Sequence, residues 1–188
     1  SFIDFLKLLP DDGPVITHGG DQHCAQVIAR ADRQLIDADE QPLIDLQTPG
    51  MHMQQNAQLV LALADQLGID HDAAITSLGD YKGCWRRLEV KGEYLIPNTE
   101  YVIPVIDDYG HHPDEIQANL QALRAAYSDK RFVLVWQPHM HNRTLHFYDV
   151  FTKLFNDVDL LIIPNIYDAR ADTEMERVDV DQLVADIQ

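Results

Sequence analysis

The second half of the chain constrains the fold most. There, short apolar segments alternate with longer amphipathic ones. Val102 to Ile106, Phe132 to Trp136 and Leu160 to Ile163 have strand length and carry β-branched residues. Pro113 to about Tyr127 and Thr144 to Phe155 place apolar residues at helical spacing, the latter through Leu145, Tyr148, Phe151, Leu154 and Phe155. Val180 to Ile187 begins a further helix that runs to Gln188. This β-α-β-α-β-α order predicts an α/β fold with a doubly wound, mostly parallel sheet, in which Phe132 to Trp136 is a buried strand.

The first half follows a looser version of the same rhythm. Phe2 to Leu9 predicts a helix stopped by Pro10, Val15 to Thr17 a strand, and Cys24 to Ala31 a helix. Gln34 to Ala38 and Pro42 to Leu46 predict two strands joined by an acidic turn. After Thr48-Pro49-Gly50 the pattern predicts a long helix over about His52 to Leu67, with Ala57, Val60, Leu61, Ala64 and Leu67 on one face and Gly68 as its stop. Asp70 to Leu78 predicts another helix. From Leu88 to Ile106 the pattern turns to β, with Gly92 and Pro97-Asn98 as turn points. A boundary near Lys91 to Glu93 divides the chain into segments 1–91 and 92–188.

Charge narrows the partners. With 31 acidic against 14 basic residues, the 188-residue chain carries a formal charge of −17, which repels nucleic acid and anionic lipid. Arg86-Arg87 and Arg143 are therefore conspicuous places for a small anion. No apolar run approaches the ~20 residues of a membrane span, and Ser1-Phe2-Ile3-Asp4-Phe5 shows no basic region leading into an apolar stretch, as a signal peptide would, so a cytoplasmic protein is expected. Cys24 and Cys84 form no paired motif and are expected to be buried, reduced thiols.

In doubly wound sheets, ligands collect beyond the carboxyl ends of the strands. Two polar strand-to-helix loops lie there: Asp107-Asp108-Tyr109-Gly110-His111-His112-Pro113 and Gln137-Pro138-His139-Met140-His141-Asn142-Arg143-Thr144. Carboxylates in the first loop suit a ribose diol, and the helix start behind each loop suits an anion. The plainer alternative is that Asp107 and Asp108 cap the helix and satisfy loop N–H groups. A third possibility is a divalent-metal hydrolase site built from His139, His141, His146, His111 and Asp108, although His-x-His is a weak signal on its own.

Read in order, the motifs resemble the Mur ligase family from about Leu46 to near the C-terminus. Thr48-Pro49-Gly50-Met51-His52-Met53-Gln54-Gln55-Asn56-Ala57 is similar to the segment that closes the family's central domain. Tyr81-Lys82-Gly83-Cys84-Trp85-Arg86-Arg87-Leu88-Glu89 is similar to its paired-arginine segment, and Asp107 to Glu115 and Gln137-Pro138-His139 to its next two loops. Tyr109-Gly110 favours the members that join L-alanine to UDP-N-acetylmuramate over those that recycle murein tripeptide.

The resemblance implies the end of a central ATP-binding domain over 1–91, followed by an incomplete Rossmann-like C-terminal (glutamate ligase) domain over 92–188. It implies an ATP- and Mg2+-dependent amide-bond ligase of peptidoglycan precursor synthesis, acting through an acyl phosphate on UDP-N-acetylmuramate and L-alanine. By position, His52 and Asn56 would lie at adenine and ribose, Arg86 at the ATP phosphates and Asp108 at the ribose hydroxyls. Tyr109, His111, His139 and Arg143 would place the incoming amino acid, the guanidinium suiting a carboxylate. Two positions depart from the family: Met53 stands where Asn is usual, and Met140 where Arg is usual, which removes one cation. No Gly-x-x-x-x-Gly-Lys-Ser/Thr sequence occurs, so these residues alone are expected to be inactive.

Overall fold

Strand β1 (Val15–Thr17) and strand β2 (Leu35–Asp37) pair in parallel. A parallel pair requires a crossover, and helix α2 (Gln22–Ala31) supplies it. Asp21 starts α2 by accepting the N–H groups of His23 and Cys24, and Asp32 ends it in the left-handed region at φ 52°. Before β1, helix α1 (Phe2–Leu6) is capped by Ser1, and Arg33 donates to the carbonyls of Leu6, Leu9, Pro10 and Asp11 behind it. This is a computed structural model, and it describes residues 1–168 and 177–187. The chain divides into two units, Ser1–Cys84 and Trp85–Gln188.

The rest of the first unit holds helices joined by irregular stretches. The second strand expected at Pro42 to Leu46 does not form. Instead Asp37 caps a short 3-10 turn over Ala38–Glu40, and Pro42, which has no N–H to give a ladder, begins an irregular stretch. Helix α3 (Met51–Gln66) follows Gly50, whose φ of 112° is open to glycine and costly for other residues. Its buried face is Ala57, Gln58, Leu61, Ala62 and Ala64, whereas Val60 and Leu67, expected on that face, are exposed. Ile44 and Leu61 form the centre of the core, with Leu46, Ile75 and Leu78 packed against it. Gly68 leaves α3 at φ 70°, and Ile69 N–H closes back on Ala64 O at 2.9 Å. Helix α4 (His71–Gly79) is capped by Asp70.

The second unit opens with a hairpin. Strand β3 (Glu89–Leu95) pairs antiparallel with strand β4 (Val102–Asp107), as a short turn between strands requires. Gly92 lies beside a bulge in β3 rather than at a turn, since the register shifts between Val90 and Gly92 and leaves Lys91 as the extra residue. Helix α5 (Pro113–Ala126) follows, then strand β5 (Val133–Val135), helix α6 (His141–His146), helix α7 (Tyr148–Phe151), strand β6 (Leu160–Ile162) and helix α8 (Val180–Asp186). Gln188 lies outside the described residues.

Strands β5 and β6 are parallel, and the α/β class with parallel sheets stands. Pairing among the described residues is more local than the single sheet expected, because β4 is bonded to β3 and not to β5. Strand β5 is also not buried on both faces: Val133 and Val135 are exposed, while Leu134 packs inward. The helix expected over Thr144 to Phe155 breaks at Phe147, whose φ of −107° leaves the helical region. Its ring lies edge-on to His112 at 4.7 Å and to His146 at 4.6 Å. The apolar stripe survives the break, and Trp136 sits between Phe151 and Phe155 at 4.7 and 4.8 Å. Ile116, Leu120, Ile166, Val178 and Leu183 also belong to this core. Both cysteines are free, and Cys84 is exposed, contrary to the expected burial.

Candidate functional site

The loop after β4 is organised by two carboxylates. Glu115, in the first turn of α5, accepts the N–H groups of His111 and His112 at 3.0 and 3.1 Å, and the His112 ring accepts Asp114 N–H, which completes a capping box. Burial raises the Glu115 carboxyl, but those two N–H groups with His111 and Arg87 outweigh it and hold the group below its ordinary value. Asp108 accepts Gly110 N–H and the Asn119 side-chain amide on one oxygen, at 2.5 and 2.7 Å, and Leu88 N–H on the other at 2.8 Å. A carboxylate offers about four lone-pair positions, so the expected ribose ligand already has three of them engaged. A Cβ at Gly110 would stand 2.7 Å from Asp108 Oδ1, so a side chain there would displace that carboxylate.

The paired-arginine segment is tied to this loop. Tyr109 N–H donates to Arg86 O at 2.9 Å, and Arg86 N–H donates to Glu89 at 2.9 Å. Arg86 and Leu88 both take positive φ, 56° and 46°, although neither is glycine. Backbone in that region costs roughly 1–3 kcal/mol and persists only where its surroundings hold it. The Arg86 guanidinium lies 4.8 Å from the Tyr109 ring centre and 5.6 Å from that of Trp85, with Asp107 at 3.4 Å. Trp85, Arg86, Arg87 and Tyr109 line an open hollow of about 420 Å³.

From Tyr109 a run of rings crosses to the loop after β5. Tyr109 meets His111 edge-on at 5.5 Å, and His111 lies 5.8 Å from His139. His139 Nδ1 is 3.2 Å from an Arg143 guanidinium nitrogen. Burial, then Arg143, then His111 push the His139 imidazole below its ordinary value, so it is neutral near pH 7. Met140 takes φ 71° at the start of α6, where its carbonyl accepts Thr144 N–H and Oγ1.

The structure therefore brings together Arg86, Asp108, Tyr109, His111, His139 and Arg143. His52 and Asn56 lie one turn apart on α3 in the other unit. Three residues that the sequence did not single out shape the site: Glu115 and Asn119, which fix the first loop, and Tyr167, whose ring lies 5.3 Å from His139. The His-x-His pair does not act together. His141 is buried and its Nδ1 accepts Val178 N–H at 3.0 Å, and among the described residues no group of three or more His, Cys, Asp or Glu could hold a metal ion. In the first unit, Gly19 and Gly20 turn their N–H groups to Asp37 and Asp39 rather than outward to a phosphate. No helix among the described residues is long and apolar enough to cross a membrane.

Residues 86–188, which hold both loops, match the family described as Mur ligase, glutamate ligase domain. The chain belongs to the Mur ligase family. Among solved structures it is similar to a UDP-N-acetylmuramate-alanine ligase, MurC, from Thermotoga maritima, with 32% identity, a TM-score of 0.53, and coverage of 66% of this chain and 26% of that one. A murein peptide ligase from Psychrobacter arcticus shares 17% identity at a TM-score of 0.60, over 86% of this chain and 39% of that one. A folylpolyglutamate synthase from Thermotoga maritima shares 14% identity at a TM-score of 0.60, over all of this chain and 48% of that one. The last two show a common fold. The chain thus spans between 26% and 48% of the length of these three relatives.

Proposed function

We propose that these residues belong to an ATP-dependent amide-bond ligase of peptidoglycan precursor synthesis that joins L-alanine to UDP-N-acetylmuramate. The segments 1–91 and 92–188 would serve as the end of its ATP-binding domain and as its C-terminal ligase domain. The observation that carries this reading is the unbroken wall from Arg86 through Tyr109, His111 and His139 to Arg143, in a domain of the Mur ligase family. In the proposed reaction ATP phosphorylates the substrate carboxylate and releases ADP. The amine then attacks the acyl carbon, phosphate leaves, and the amine gives up a proton.

The residues suit those partners. The hollow beside Arg86 has aromatic walls and two guanidinium groups, Arg86 held by Asp107 and Arg87 by Glu115, which fits a nucleotide's flat base and anionic tail. Asp108 would reach ribose with its one remaining lone-pair position, and His52 and Asn56 would serve as adenine and ribose contacts of the ATP-binding domain. Arg143 offers a planar fork for the amino acid's carboxylate. Neutral His139 beside it adds no second positive charge against an incoming ammonium. Mg2+ is commonly held by one or two carboxylates and the substrate's own phosphates, and Asp107 is the carboxylate nearest Arg86 among those in the first loop. The ion would neutralise phosphate charge. A cytoplasmic location would follow from such substrates.

A second reading is a ligase that takes murein tripeptide as its amine. Met140 favours it, since the loop then carries one guanidinium, Arg143, and an apolar neighbour. Turnover of the full-length gene product with ATP, UDP-N-acetylmuramate and either L-alanine or tripeptide separates the two. Faster amide formation with L-alanine supports the first reading, and faster formation with tripeptide replaces it by the second.

A further inference from the structure

We propose that Tyr167 is a positioning residue for His139, holding its ring in the wall that receives the amine substrate. The role in substrate binding rests on the function proposed above, whereas the contact itself does not.

Strands β5 and β6 end at Val135 and Ile162, but their continuations stay paired. His139 and Tyr167 form an isolated parallel bridge. Met140 N–H donates to Tyr167 O at 2.7 Å, and Tyr167 N–H donates to Pro138 O at 2.8 Å. These bonds carry the loop over the carboxyl ends of the strands, where α/β sheets bind ligands. They also bring the two rings to 5.3 Å with 39° between their planes. Among the described residues, the His139 ring meets Tyr167, His111 at 5.8 Å, and Arg143 on Nδ1.

The Tyr167 ring is not part of the hydrophobic core. Its neighbour Ile166 is buried in that core, while Tyr167 is 52% exposed. An aromatic ring half open to solvent, beside a partly buried imidazole, is placed to orient that imidazole more than to stabilise the fold. Backbone groups make the bridge, so changing the side chain removes the ring contact and leaves the bridge.

Ring resonances test this in the 188-residue chain. Cross-relaxation between the Tyr167 and His139 ring protons is expected in the unmodified protein, and its absence overturns the proposal. In Tyr167→Leu the His139 midpoint should rise toward the ordinary histidine range and its ring-current shift should vanish, while Tyr167→Phe should keep both. Unchanged His139 resonances in Tyr167→Leu overturn the proposal, and an unchanged His141 signal reports an intact loop. In the full-length gene product, Tyr167→Leu should raise KM for the amine substrate about tenfold, with kcat within about twofold and KM for ATP unchanged. An unchanged amine KM overturns the substrate role. Absence of amide formation by the unmodified enzyme overturns the proposed function instead, and leaves the resonance result to decide whether Tyr167 positions His139.

Discussion

Asp108 shows how one side chain can organise a site from within. Its carboxylate receives Leu88 N–H, Gly110 N–H and the Asn119 amide, and so joins the arginine segment, the loop and helix α5. Hydrogen bonds to a charged group contribute about 1.5–3 kcal/mol each, and they are not additive. Asp108→Ala should therefore lower the stability of this unit by about 2–3 kcal/mol, with Asp108→Asn intermediate, as read by urea denaturation. His139 gives a second test at this scale. Its imidazole sits below the ordinary 6.5 in the folded protein, so between those values the unfolded chain binds a proton that the folded one does not. Stability from this group is therefore full above 6.5 and falls as the pH drops toward the folded value. Arg143→Met removes one cause of the shift, and the His139 midpoint, followed by NMR, should rise. The chemistry-bearing residue types were legible in the sequence, because Asp, His and Arg crowd two loops. The partners were not: nothing in the order Asp107-Asp108 says which carboxylate turns inward, and Tyr167 looks like any aromatic residue after an apolar strand.

Elements were legible where one period governs them. Helix α5 begins at Pro113 as its composition requires, and Glu115 in its first turn completes the cap. Removing that cap with Glu115→Ala should cost about 1 kcal/mol at neutral pH. Because the folded Glu115 carboxyl lies below its ordinary 4.5, its contribution is present above that value and is lost as the pH falls through the folded one. The stability gap between the protein and its Glu115→Ala variant should thus narrow on acidification, as read by circular dichroism in urea. Helices α7 and α8 are joined by Tyr148 OH donating to Asp186 at 2.8 Å. Burial and that carboxylate push the Tyr148 phenol up to about 12, and alkaline difference spectra should show one tyrosine ionising there, absent in Tyr148→Phe. Pairing and breaks were less legible. Helical spacing runs unbroken from Thr144 to Phe155, yet the backbone leaves the helical region at Phe147, whose ring packs on His112 and His146. Strand residues announce β structure but not their neighbours, and among the described residues the hydrogen-bonded partner of β4 is β3 rather than β5.

For the whole molecule, the α/β class and the family were both visible in sequence order, since strand-like and helix-like segments alternate and four motifs follow one another along the chain. On the proposed function, the hollow beside Arg86 and the ring wall to Arg143 would receive the nucleotide and the amine. That account is tested most directly by assaying the full-length gene product for amine-dependent ATP consumption with UDP-N-acetylmuramate, while the amide product is followed by mass spectrometry. The account predicts ADP and amide in equal amounts, with amide formation strongly reduced by Arg143→Ala. Failure to consume ATP with any amino acid or murein tripeptide would contradict it.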